Sequence, residues 1–311
     1  MTRPLVAVFG AAGRQGLAQV RQLHAAGYRI RALSRRSDPF LGEAYADVEV
    51  VPADVSDDAS LAAAVRGVDF VFYTHPLSAP DRPGWIGRVG KASAEAGVKR
   101  VVWNTSSWIP DRAGDPGVYA YNTHGINALW RSGAPGTVFG SVLFMDNLLT
   151  NFAFPSIARD GVFRYGQRPD LQANWISLDD VAKFMIAALD RPYMEGAWMN
   201  IGGPERLTPP EVAARLSKAL GKTIPYEALT PQQFGRVLAD GYGDAMSAEM
   251  KDFTAQRIGE FYVYNNTAPT RPFEVNVEAM LDRLPIDLEP FEAWARRQDW
   301  TWSNKPRPPV G

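Results

Sequence analysis

Leu5-Val6-Ala7-Val8-Phe9-Gly10-Ala11-Ala12-Gly13-Arg14-Gln15-Gly16 is the stretch whose reading decides the fold. Five apolar, β-prone residues run straight into a turn with glycines three apart. A helical spacing of apolar residues follows (Leu17, Val20, Leu23) and stops at Gly27. Each glycine has a mechanical reason. Gly10 can leave a strand at positive φ without a Cβ clash. Gly13 lets a backbone approach a pyrophosphate, and Gly16 lets the helix pack on the strands. The anion would sit on the free N–H groups of the helix start, where the helix dipole also favours it. Arg14 and Gln15 ride on the same turn and count among its expected ligands. Strand, glycine turn and helix in this order are the layout of a dinucleotide site.

The next apolar run, Tyr28 to Leu33, leads into Ser34-Arg35-Arg36-Ser37, and no carboxylate appears before Asp38. NAD-binding turns place an acid here for the ribose hydroxyls. A guanidinium instead forks onto a 2′-phosphate. Ser34, Arg35 and Arg36 therefore point to NADP(H). The competing reading is a pair of solvated surface arginines.

Composition bounds the rest. A chain of 311 residues holds one large domain or a large one with a smaller partner. Its net charge of −1 carries no basic block, which speaks against nucleic acid. There is no cysteine, so disulfides and thiolate chemistry are excluded, and three scattered histidines make no obvious metal site. No apolar run reaches membrane-spanning length. The N-terminus opens directly into a strand, so no targeting segment is expected, and a soluble cytoplasmic protein is the default.

Strand and helix patterns alternate through the first half. Strands are expected at 48–52, 69–74, 100–104 and 137–144. Helices are expected at 57–66, capped by Ser56, and at 84–96 and 121–131. The fold class is α/β, a doubly wound parallel Rossmann-type sheet. Residues 1–150 form the dinucleotide-binding part. Residues 151–311 form a smaller, mostly helical substrate region interleaved with the sheet. Helices are expected there at 146–160, 177–189, 208–220, 234–259 and 273–284, and from Glu289, with a strand at 198–201.

Val6 to Gly16, with Arg31-Ala32-Leu33-Ser34-Arg35, resembles the opening of NmrA-like proteins, atypical short-chain dehydrogenases/reductases. Phe144-Met145-Asp146-Asn147, the block from Trp175 to Ala182, Asn200 to Pro204 and Leu207 to Glu211 fit the same resemblance, which spans roughly residues 3–230. The resemblance implies either an NADPH-dependent reductase of aromatic or quinoid compounds or a dinucleotide-binding regulator. Reductases of this family carry a Lys in the helix before strand six. His124 stands there in this chain, with Asn127 where a Glu is frequent. There is no Tyr-x-x-x-Lys. His124 can act as a general acid, can bind the nicotinamide ribose, or can be a helix-start residue without a role. Tyr121 and Tyr119 can supply a phenol or merely cover the helix start.

Ligands of such sheets gather at the carboxyl ends of the strands. Asp54 and Val55 are placed at the adenine. Thr74, His75 and Pro76 are placed at the ribose and pyrophosphate. Thr105, Phe144 and Asn147 are placed near the nicotinamide. Ser107, Trp85, Trp108, Phe152 and Trp175 are placed around a flat, apolar substrate, although such rings can equally be core. The expected function is NADPH-dependent reduction of a small aromatic, quinone or enone-type compound. The alternative is a non-catalytic NADP(H)-binding sensor, and a weaker one is an isomerase or lyase. The expected partner is the small-molecule substrate, with a homodimer possible.

Overall fold

Both faces of strand β1 (Leu5–Phe9) are buried, and this organises the computed structural model, which describes residues 3–35, 40–75, 81–112, 117–243 and 246–303. Val6 and Val8 enter one hydrophobic core and Leu5, Ala7 and Phe9 the other, as the two-residue period of a strand requires. Around β1 lie β2 (Arg29–Ser34), β3 (Glu49–Pro52), β4 (Phe70–Thr74), β5 (Arg100–Asn104) and β6 (Gly136–Ser141). They pair in parallel in the order β3-β2-β1-β4-β5-β6. Helices cover both faces. α1 (Arg14–Ala25) packs on one, and α2 (Asp58–Val65), α3 (Arg82–Glu95) and α4 (Ala120–Arg131) pack on the other. This is the doubly wound α/β fold the alternation predicts.

The first correction concerns strand six. It ends at Ser141, and Leu143–Phe144 forms a separate β7, which pairs with β9 (Ala173–Ile176) in a small second sheet. Between them in the chain, but in a separate sheet, is β8 (Phe163–Tyr165). The strand Ala197–Ile201, β10, returns to the main sheet and pairs in parallel with β6. β11 (Arg206–Leu207) joins β9, and β12 (Tyr226–Ala228) joins β8. The sequence reading has no strand at β8, β9, β11 or β12.

The helix expected at 146–160 is broken. A 3₁₀ turn, Met145–Leu149, is followed by a short α5 (Phe154–Ala158) with Pro155 in its first turn. Proline lacks the N–H and clashes with the carbonyl four residues back, so it starts a helix and cannot continue one. α6 (Leu178–Ala187) begins where Ser177 accepts the Asp180 N–H, and α7 (Pro209–Leu220) ends on Gly221 at φ 66°. The single helix expected at 234–259 is two, α8 (Pro231–Asp240) and α9 (Ala248–Thr267). Gly241 and Gly243 interrupt it, and Ser247 caps the second helix by accepting the Met250 N–H. α10 (Val277–Arg283) starts at the Asn276 cap, so Phe273 is core rather than helix. α11 (Phe291–Arg296) follows Pro290. Asp57, not Ser56, caps α2, because the Ser56 hydroxyl is bound to Asp54.

Candidate active site

The glycine turn has the geometry an anion needs. Gly10 sits at φ 68°, and the Gly13 N–H closes the turn on the Gly10 carbonyl at 2.9 Å. Gly13 is the N-cap of α1, with no side-chain cap and no acid in the first turn. The helix therefore offers its first N–H groups unclaimed. At Gly16 a Cβ would stand 2.2 Å from the Gly10 carbonyl oxygen, so only glycine permits this approach of helix to turn. The Ala11 N–H donates to the Leu33 carbonyl at 3.0 Å and ties the turn to β2.

At the carboxyl end of β2, Ser34 is buried and Arg35 is exposed just beyond it. Arg35 lies close enough to Asp54 for its charge to be felt there. Hydrogen bonds from the Ser56 hydroxyl (2.7 Å) and N–H (2.8 Å) hold the Asp54 carboxyl below its usual range, helped by Arg35 and Arg88. Val55 is half-buried beside it. Arg36 and Pro76 lie outside the described residues.

The ends of β4 and β5 carry a polar network. Thr74 accepts from the Gln19 amide at 3.2 Å. His75 is enclosed edge-on by Tyr73 and Trp103, with ring centroids 5.0 and 5.1 Å away. Its Nδ1 meets the Tyr73 hydroxyl at 3.1 Å, and burial pushes its pKa down to about 3, so the ring is neutral. Its Nε2 is buried without a partner among the described residues. Asn104 is fully buried. Its amide donates to Gln15 Oε1 at 2.7 Å and its oxygen accepts from Ser141 at 2.8 Å. Gln15 in turn donates to the Ser106 hydroxyl at 2.9 Å. Ser106 sits at φ 60°, a left-handed conformation rare outside glycine. The network thus binds the glycine turn to the end of β5. Asn104 and Ser141 were missed by the sequence reading, although an Asn closing an apolar strand was a visible signal.

Next along the chain the two hydroxyls of Ser107 and Tyr121 meet at 2.8 Å, and the Asn122 amide donates to Ser107 at 3.0 Å. The Arg82 guanidinium lies over the Tyr121 ring, 5.1 Å from its centroid. Thr105 spends its hydroxyl on the Ser107 carbonyl at 2.5 Å. His124 is exposed on α4 and hydrogen-bonds no described residue. A lysine one turn after Tyr121 is sterically impossible. Gly125 holds that position, and a Cβ there would lie 2.3 Å from the buried Trp103 ring.

Several aromatic residues expected on a substrate wall are core. Trp108 is fully buried and packs edge-on against Tyr119, whose hydroxyl donates to Asn265. Trp175 packs on Phe163, Tyr165 and Phe291, and Phe152 on Tyr165 and Phe234. Burying a ring releases the same water whether a ligand or a neighbour covers it, so their number did not mark a pocket. Trp85 stays half-buried on α3. After β7, Phe144 is buried. The Asp146 carboxylate accepts the Leu178 N–H at 3.0 Å, and Asn147 hydrogen-bonds the Tyr165 hydroxyl. Among the described residues there is no group of acids and histidines fit for a metal, and no helix long and apolar enough to cross a membrane.

The model of the NmrA-like family matches residues 2–294. The chain belongs to the NmrA-like family. It is 32% identical over 228 residues to the (4-alkanoyl-5-oxo-2,5-dihydrofuran-3-yl)methyl phosphate reductase of Streptomyces griseus, covering 72% of this chain and 77% of that one. It is 30% identical over 250 residues to the NAD(P)H azoreductase of Xenophilus azovorans, covering 78% and 85%. Its fold matches the crystal structure of NmrA, a negative transcriptional regulator, in complex with NADP. The TM-score is 0.74 at 19% identity, over 96% of this chain and 95% of that one.

Proposed function

We propose that this NmrA-like protein is an NADP(H)-dependent oxidoreductase that reduces a small aromatic, quinone or enone-type compound. In this reading residues 1–150 hold the dinucleotide and residues 151–311 shape the substrate space. The cofactor reading draws on the uncapped start of α1, the positive φ of Gly10, and Arg35 where an acid would otherwise meet the ribose. NADPH, when bound, supplies the hydride.

The observation that carries the enzymatic reading is the Ser107–Tyr121 hydroxyl pair, one residue from the Ser106 that touches the glycine turn. Tyr121 is the proton donor in this scheme. Ser107 orients the phenol, and Asn122 fixes Ser107 by donating to it. Arg82, stacked on the Tyr121 ring, contributes the positive charge that an adjacent lysine supplies elsewhere in the superfamily. Two relatives that are themselves named reductases, one of a phosphorylated unsaturated lactone, support the reading.

The test follows NADPH oxidation over a panel of quinones, enones and azo compounds. Tyr121→Phe is expected to reduce turnover by about 10²–10⁴-fold, the usual contribution of a general acid, while NADPH affinity is retained. Unchanged turnover in that variant refutes the assignment. NADPH binding without reduction of any panel member would instead favour the sensor reading, for which the exposed His124 in place of the family lysine is the supporting observation.

A further inference from the structure

Arg14 follows Gly13 directly, at the first position of α1. The groups around its charge are Asp146, Tyr165 and Tyr242, all from beyond β6. Its Nη1 is shut off from solvent and has no hydrogen-bond partner among the described residues. A buried, unsatisfied guanidinium N–H is costly, and such groups are rare unless a ligand completes them.

The neighbours leave this N–H unpaired. No ion pair joins Arg14 to a described acid. Among the described residues Asp146 is the one acid that acts on its charge; burial pushes that carboxyl up from its ordinary range, while the Leu178 N–H it accepts and the charge of Arg14 work the other way. Burial also holds Tyr165 and Tyr242 at about 12, so both phenols are neutral. The Tyr165 hydroxyl is already bound to Asn147 and Tyr262. Tyr165 in turn packs on Phe152 and Phe234. The result is a positive centre beside the packed aromatic core. The cofactor phosphates have their own receptor in the N–H groups that start α1.

We propose that Arg14 binds an anionic group, a carboxylate, sulfonate or phosphate, carried by the substrate. The substrates are then flat unsaturated compounds with an acidic substituent. This rests on the oxidoreductase reading for the word substrate, and it departs from the expectation that Arg14 serves the dinucleotide. The shared chemistry is an anion, and the arms of the experiment separate its two sources.

Three proteins are compared, the wild type, Arg14→Met and Arg14→Lys, with circular dichroism as the control for folding. NADPH affinity is measured by fluorescence titration. Reduction kinetics are measured on a naphthoquinone and its sulfonated derivative. Calorimetry of the NADP⁺ complex uses benzenesulfonate against uncharged benzenesulfonamide. Arg14→Met is expected to raise KM for the sulfonated quinone by about 10- to 100-fold, the scale of one charge-assisted contact. KM for the parent quinone and the NADPH affinity should stay within about two-fold, and Arg14→Lys should recover part of the loss. If NADPH affinity falls instead and both quinones suffer alike, Arg14 serves the cofactor and the proposal is overturned. Failure of the wild-type complex to prefer benzenesulfonate overturns it as well. If neither quinone is reduced but benzenesulfonate binding depends on Arg14, the anion site stands and the oxidoreductase reading falls.

Discussion

Gly16→Ala is expected to damage both fold and cofactor affinity. The new Cβ would lie 2.2 Å from the Gly10 oxygen, 2.6 Å from the Ala11 Cα and 2.8 Å from the Gly10 carbonyl carbon. All three are backbone atoms, so no rotamer change relieves the contact. α1 would have to retreat by at least 0.8 Å to bring the shortest contact from 2.2 to 3.0 Å. Overpacking of this kind costs about 1–3 kcal/mol, and alanine returns about 1 kcal/mol in helix propensity. The net loss is therefore up to about 2 kcal/mol in the absence of ligand. The same retreat moves the first N–H groups of α1 off the turn, so NADPH affinity should fall by about 10-fold or more, about 1.4 kcal/mol. Gly13→Ala is the matched control. Its Cβ meets only the Gly10 oxygen at 3.2 Å, so stability should hold within about 0.5 kcal/mol while affinity still falls. Urea unfolding followed by tryptophan fluorescence reads stability, and NADPH titration of the same samples reads binding. A Gly16→Ala protein with wild-type midpoint and affinity would show that α1 does not rest on the turn.

Arg35→Ala should weaken NADPH but not NADH. A lost charge-assisted phosphate contact of about 1.5–3 kcal/mol corresponds to about 10- to 150-fold in affinity, and equal affinities of the wild type for the two cofactors would refute the role. His124→Ala should leave turnover at saturating NADPH within about two-fold, because the donor is Tyr121 and His124 is exposed, and a loss of about 10²-fold or more in single-turnover rate would move that role to His124. His124→Lys should fold normally because the position is exposed, whereas Gly125→Lys should not, which thermal unfolding checks. His75 contributes an acid limb to stability. Its folded pKa of about 3 lies below the ordinary 6.5, so the unfolded chain takes up the proton first. The contribution is intact above pH 6.5 and declines toward pH 3, by about 1.4 kcal/mol per pH unit. His75→Asn should flatten that part of a urea-midpoint-against-pH curve, and an unchanged slope would show that His75 titrates normally.

The main sheet was legible because its strands are unbroken apolar runs punctuated by glycines, and the glycine turn after β1 because its glycines have backbone reasons to be there. The breaks at Pro155 and at Gly241-Tyr242-Gly243 were printed in the sequence but outweighed by helical periodicity around them. β8 and β12 have three residues each, too few to show an alternation. At the site, Gly10, Gly13 and Gly16 could be placed because their neighbours are local. The surroundings of Arg14 and Arg82 could not, since Tyr242 and Tyr121 come from distant parts of the chain. Trp108 and Trp175 carry no mark in sequence that distinguishes a packed ring from a ligand-facing one.

The placement of β10 beside β6 bears on how this protein can be divided. The strand that closes the sheet comes from residues 197–201, after the small second sheet has begun. Arg100 of β5, buried, donates to the carbonyls of Ala188 and Arg191 at the end of α6. Thr137 of β6 donates to the Met194 carbonyl at 2.5 Å. A fragment ending at residue 150 would keep every glycine of the turn after β1 and still expose the flank of β6 and strand the Arg100 guanidinium. The two halves should therefore melt in one transition, and two separately expressed fragments should regain structure only when mixed. A cut near residue 150 therefore divides the sheet itself, and β10 binds the later part of the chain into the same hydrogen-bonded unit as β1 to β6.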